Sequence, residues 1–329
     1  MRLLFFTLFV FAGQFCVAQV HYMPFELERK DATTYSQYLE NLNTEFNTEL
    51  EALEYYFLAY EIQRAQNPAE YFPPTDGERI LAGNYLKKNH PEGSGMALVN
   101  FLETNGNIES CGALIDRQSG YSLLLPYRFM AAFILNKKDV KSKYLIEMER
   151  EGMLSEVTKG FGENALISTG TTRIVATQGM QDLIAIEYAL QSQNKEMQLL
   201  NLFAENCTAF TGPTVHEEIK DSSKLIWLSP VISREMLFEN KPFLSQAGIG
   251  FLYARGPFAD NSFLQNILIE TGNSFHGLDA SPRSNADEGL ISAYRYFAEA
   301  YSDYSNLGLD KKASRRSKEI NRYIQNQIK

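Results

Sequence analysis

The sequence predicts an α+β protein, mainly α-helical, with an N-terminal helical layer, a small central α/β sheet and a C-terminal helix pair. Three observations carry this. Residues 32–66 contain neither Gly nor Pro and repeat apolar residues at helical spacing. RIVATQGMQDLIAIEYALQSQNKEMQLLNLF, residues 173–203, orders a β-branched run, a turn, a helical period and a second apolar run. The last segments, Ala286 to Asn306 and Lys311 to Gln327, return to helical spacing.

In the first third, Leu39, Leu42, Phe46, Leu50, Leu53, Phe57 and Tyr60 recur every three or four residues. That spacing makes one amphipathic face, on one helix or on two joined by a kink. NPAEYFPPTDG, residues 67–77, then stops the helix, because Pro lacks the donor and Gly frees the backbone. Shorter helical patterns follow at Glu78 to Lys88 and Met96 to Glu103, and Leu123 to Glu151 reads as a long helix or a broken pair.

Character changes near Gly160. Arg173 to Thr177 and Met197 to Phe203 are strand-like, with Met180 to Gln191 helical between them. A crossover helix of that length joins parallel neighbours, so the two strands are expected side by side in one parallel sheet. Lys224 to Leu228 and Ile249 to Ala254 add two more β-like runs. The loop TGNSFHGLDASPRSN, residues 271–285, leads into the final helices. Their joint places Leu307-Gly308 three residues before Lys312-Ala313, which resembles a tetratricopeptide turn: Gly ends one helix and Ala lets the next approach. The expected organisation is a signal peptide at 1–18, a helical region at 19–159, the α/β unit at 160–270 and a helical hairpin at 271–329.

Residues 1–18, MRLLFFTLFVFAGQFCVA, have a positive start at Arg2, an apolar run and a small-residue ending. This reads as a secretory signal, cleaved after Ala18, and its run is too short for a bilayer, which needs about 20 residues. The expectation is export to the periplasm or envelope, with no membrane span in the mature chain. Phe15 before Cys16 argues against a lipid anchor. Cys111 and Cys207 then remain, either as a disulfide or as two buried, inert thiols.

The net charge of -9 argues against a nucleic-acid partner, which calls for a basic field. His21, His90, His216 and His276 are scattered, and HEEIK lacks the second His of a zinc helix, so neither metal nor cofactor is expected. GNSFHG, residues 272–277, sets Ser274 beside His276, but a nucleophile elbow requires Gly where His276 stands. Acidic pairs such as Glu147 with Glu149 suit exposed helix faces, and DKKASRRSKEINR spreads its charge around a helix.

One turn stands out as a binding candidate: Thr177, Gln178, Gly179 and Asp182, at the carboxyl end of the first strand and the start of a helix. Ligands of open parallel sheets bind at such ends, where a helix offers unpaired N–H groups. The plainer reading makes Gly179 a turn residue and Asp182 a partner of the helix dipole at an exposed helix start, worth ~0.3 to 1 kcal/mol.

Thr177, Gly179, Asp182 and Tyr188, followed by MQLLNLF, resemble part of a family of uncharacterised bacterial membrane proteins. Those proteins join a membrane-embedded, glycosyltransferase-like region to a soluble tail with a strand, a T-x-G-D-N-D-like turn, a helix and a V-L-N-L-type strand. In ATQGMQDL, Gly179 and Asp182 match, while Met180 and Gln181 replace the first acidic residue and the amide. The resemblance covers residues 165–205 and extends to the C-terminal helices; the membrane-embedded half has no counterpart. It implies an exported relative of that tail and transfers no activity. The expected function is a non-catalytic interaction module of the bacterial envelope, binding a protein or surface polymer. The alternative is an enzyme or accessory subunit of envelope glycan transfer with its site at the 177–182 turn, where at least two convergent carboxylates are then required.

Overall fold

A computed structural model describes residues 36–37, 39–40, 42, 44–66, 71–117, 121–220, 224–231, 244–254, 261–282, 285–306 and 311–327. The expected signal peptide and the Leu307-Gly308 joint lie outside the described residues.

The chain is mainly helical around one small mixed sheet, as its periodicities predict. The apolar period of the first segment is interrupted at residues 44–48, and α1 (Glu49–Gln66) begins where the Thr48 hydroxyl accepts the Glu51 N–H. Helices α2 (Gly77–Asn89) and α3 (Ser94–Glu103) follow as expected. Asp76 caps α2 by accepting the Arg79 N–H. Arg79 is buried in the angle between α1 and α2, donating to Gln63, Tyr56 and the Pro73 carbonyl and lying over the Tyr56 and Tyr60 rings.

A short helix that the periodicity does not announce, α4 (Ile108–Asp116), follows and is capped by Asn107. The Leu123 to Glu151 stretch is a broken pair, α5 (Leu125–Ile134) and α6 (Lys138–Arg150). Asn136, at φ 53°, makes the break, because Asn tolerates the left-handed conformation that ends a helix. Another helix, α7 (Glu156–Ser168), runs through residue 160, where the character of the sequence changes, and is capped by Ser155.

Strand β1 (Ile174–Thr177), helix α8 (Met180–Ser192) and strand β2 (Gln198–Asn201) form the expected parallel unit, with Ile174 opposite Gln198 and Thr177 opposite Asn201. The second apolar run bends into helix one residue past Asn201: Leu202 and Phe203 open the short α9 (Leu202–Glu205), because the Asn201 side chain caps it at the Ala204 N–H. After the single turn α10 (Val215–Glu218) come β3 (Ile226–Leu228), β4 (Leu244–Ala247) and β5 (Gly250–Tyr253). The order is β2-β1-β3-β5-β4, with β3 parallel to β1 and the β4/β5 hairpin antiparallel beyond it. LSQA alternates too weakly to announce β4; Gly248, just after it at φ 58°, turns the hairpin into β5.

Both faces of the sheet are covered, which is why IVAT is buried throughout. Val175, Trp227 and Leu252 face α7, α8 and the C-terminal helices; Ile174, Ala176, Leu228 and Tyr253 face Val215 and Ile219. Helix α8 serves two cores. Met180, Leu183 and Ile184 belong to the core of the helical layer, and Ala185, Ile186, Ala189 and Leu190 to the core over the sheet. The second face is lined with alanine because α7 crosses it at Gly162, whose missing side chain brings the helices together.

Four helices close the chain: α11 (Asn261–Asn273), α12 (Asn285–Ala293), α13 (Arg295–Asn306) and α14 (Lys311–Gln327). The expected single helix from 286 to 306 is broken at Tyr294, whose hydroxyl meets Asn164 of α7 at 3.2 Å. Helices α13 and α14 pack on one another.

Candidate functional site

The four residues singled out in the sequence come together at the carboxyl end of β1, and their polar groups are turned inward. The Asp182 carboxylate accepts the Gln178 N–H at 2.9 Å and the Gly179 N–H at 3.1 Å, with the Leu183 N–H also 3.1 Å away. Asp182 is 0% exposed, so it does not stand at an exposed helix start as expected; its helix lies between two cores. Gly179 has φ −135°, outside the left-handed region that demands glycine. The Thr177 hydroxyl donates to the Leu200 carbonyl at 3.0 Å and accepts from the Asn201 amide at 2.9 Å. That amide also donates to the Gly179 carbonyl at 2.6 Å. Gln178 reaches the Tyr71 hydroxyl at 2.6 Å, and its carbonyl accepts the Phe203 N–H. Asn201 and Tyr71 were not marked in the sequence. A polar Asn closing the apolar run MQLLN was the available signal for the first; Tyr71 offered none.

At the other end of the same strands the surface opens. Two contiguous hollows of about 320 and 560 Å³ lie between α5, α6 and the α8/β2 side of the sheet, sharing Lys138, Lys141, Glu187 and Met197. Cations collect there: Lys137, Lys138, Lys141, Arg173 and Lys195, against Glu187 and Glu196. In a chain of net charge -9 this is a local reversal of sign. Lys141 is held by an ion pair to Glu187 and lies over the Phe133 ring, 5.5 Å from its centre. Lys137, Lys138, Arg173 and Lys195 are exposed and have no ion-pair partner among the described residues. One end of the groove is apolar, with Phe133, Leu199 and Phe210. These cations come from three separate stretches of chain, so no run of charge announced them.

Other candidates from the sequence fall elsewhere. His276 Nδ1 faces Glu163 Oε2 at 3.0 Å, and its backbone is clamped by Asn164. Among the described residues no group of three His, Cys, Asp or Glu is placed to hold a metal ion. Cys111 and Cys207 are buried, with free thiols.

Behind the groove wall, Glu205 accepts the Val215 N–H. Burial first, then the Glu217 charge, push its carboxyl up to about 7, against the opposing pull of that N–H. A raised acid pKa means that the folded chain holds a proton the unfolded chain has lost. The resulting stabilisation is full below about 4.5, falls as pH rises, and is gone above about 7. Glu205→Gln keeps the acceptor and removes the titration. Its melting temperature is expected to rise relative to wild type between pH 4.5 and 7, with a plateau beyond; a constant difference across that range contradicts the assignment.

Comparison of the chain with family models, with curated proteins and with solved structures finds no match in any of the three. The likeness seen in residues 165–205 therefore rests on those residues alone.

Proposed function

We propose that the protein is an exported, non-catalytic interaction module that holds an anionic segment of a protein or envelope polymer in the groove between α6 and the α8/β2 edge. The observation that carries this is the cluster of exposed cations in the groove of an otherwise acidic chain. Long lysine side chains on a concave wall attract polyanions from a distance, and the acidic remainder of the surface repels them. The apolar end of the groove supplies the burial that a rim of charges lacks.

The alternative, a glycan-transfer enzyme or accessory subunit working at the 177–182 turn, needs acceptor oxygens aimed outward. The Asp182 oxygens are engaged by backbone N–H groups instead, which favours the groove.

Poly-glutamate and a carboxylated polysaccharide serve as probes, with binding followed by interferometry at several salt concentrations. Binding of at least one is expected, weakening as salt rises. Lys138→Glu/Lys195→Glu is expected to lower affinity about tenfold or more, since each exposed charge pair is worth up to ~1 kcal/mol. Equal binding by that variant, or no binding of either probe, defeats the proposal.

A further inference from the structure

We propose that Cys111 and Cys207 are oxidised to an intramolecular disulfide that ties α4 to the chain segment forming one wall of the groove. Both cysteines pack against Gly106. Cys111 Sγ donates to the Gly106 carbonyl at 3.4 Å, and the same oxygen accepts the Ala209 N–H at 3.1 Å. Cys207 Sγ lies 3.0 Å from the point where a Cβ on Gly106 would stand. Gly106, at φ 59°, thus leaves open the space that the Cys207 thiol occupies while its carbonyl meets the Cys111 thiol, and the Thr208 N–H bond to Asn105 O, at 2.7 Å, holds the two segments together.

The position matters for the groove. Cys207 is three residues before Phe210, where the wall formed by Phe210, Thr211, Gly212 and Pro213 begins. A cross-link there fastens that wall to the helical layer.

Burial pushes the Cys111 thiol up to about 12, and burial together with the neighbouring Cys111 raises Cys207 well above the ordinary thiol range. Thiolates are the reacting species, so the bond forms while the chain is still folding. The oxidant is an external disulfide. One cysteine thiolate attacks it and expels a thiol, leaving a mixed disulfide; the second cysteine, having lost its proton, attacks that cysteine's sulfur and expels the other thiol. Two protein thiols lose two electrons and two protons, and the external disulfide becomes two thiols. In the cell this rests on the exported reading, because oxidising compartments supply such disulfides; in vitro it does not.

The test uses the full chain with Cys16→Ser, so that only the pair remains. It is refolded from denaturant in reduced and oxidised glutathione, then denatured without reductant and treated with maleimide. No uptake is expected, and a digest should yield peptides joined through Cys111 and Cys207. Reduction should lower the melting temperature by about 5 °C, because the closed loop is long. Cys111→Ser/Cys207→Ser should be indifferent to reductant. Two maleimides per chain, after circular dichroism has shown the helices restored, overturns the proposal. Protein isolated from its own source with thiols trapped at lysis separates the two readings. A free pair there with a cross-link after refolding supports the disulfide and overturns export; a cross-link in both supports both. If the chain does not refold, the isolated protein decides, and a free pair then overturns the proposal.

Discussion

Gly162→Ala is expected to destabilise the protein by about 3 kcal/mol and to lower its melting temperature by several degrees. A methyl group on Gly162 meets the Ala185 carbonyl oxygen at 2.0 Å and the Ala189 Cβ at 3.0 Å. The first contact is with backbone, so no side chain can rotate away, and α7 and α8 have to separate. Two effects compete. Alanine is the better helix former by about 1 kcal/mol, whereas forcing apart a packed interface costs about 1 to 3 kcal/mol and occasionally more. A backbone clash puts this site at the upper end, so packing wins. Gly112→Ala in α4 is the control: its Cβ meets nothing within 4 Å, so only the helix preference remains and a gain of about 0.5 to 1 kcal/mol is expected. Urea denaturation of both variants gives the comparison. Equal stabilities for the two contradict the close α7/α8 approach.

Asp182→Asn is expected to lose about 3 kcal/mol as well, several times what an exposed helix-dipole partner is worth. The substitution keeps size and shape. It replaces one of the two acceptor oxygens, which take the Gln178 and Gly179 N–H groups, with an NH₂. A donor then faces a donor in a site that is 0% exposed, where water does not make up the loss. Thermal melts of the variant test this. A loss below about 1 kcal/mol returns Asp182 to the role of dipole partner.

The fold was legible where one period persists. The parallel β1/α8/β2 unit could be read from residues 173–203 because a β-branched run and a second apolar run flank an uninterrupted helical period. The final pair α13 and α14 could be read for the same reason. The breaks inside helical stretches were harder. Asn136 splits α5 from α6 through its backbone conformation, and α12 and α13 part at Tyr294, whose hydroxyl meets Asn164, a partner 130 residues away. Helix α11 is not legible in the sequence, because NSFLQNILIE reads equally as a buried strand.

The site shows the opposite balance. Thr177, Gln178, Gly179 and Asp182 were found as a group, because a strand-to-helix turn with an acidic residue in the first helical turn has a recognisable pattern. Whether those groups face outward or inward is not local information; it depends on Asn201 and Tyr71 closing over them. The groove had no pattern to find. Lys137, Arg173 and Lys195 gain meaning only when three elements bring them to one concave surface.

Helix α8 also sets an order on synthesis. The helical layer from Glu49 to Arg150 is made first, yet its core includes Met180, Leu183 and Ile184. Until residue 184 has been made, the sides of α5 and α6 that meet α8 lack its apolar cover, and a chain emerging from its amino end carries that exposed surface for more than thirty residues past Arg150. Such a surface invites a chaperone.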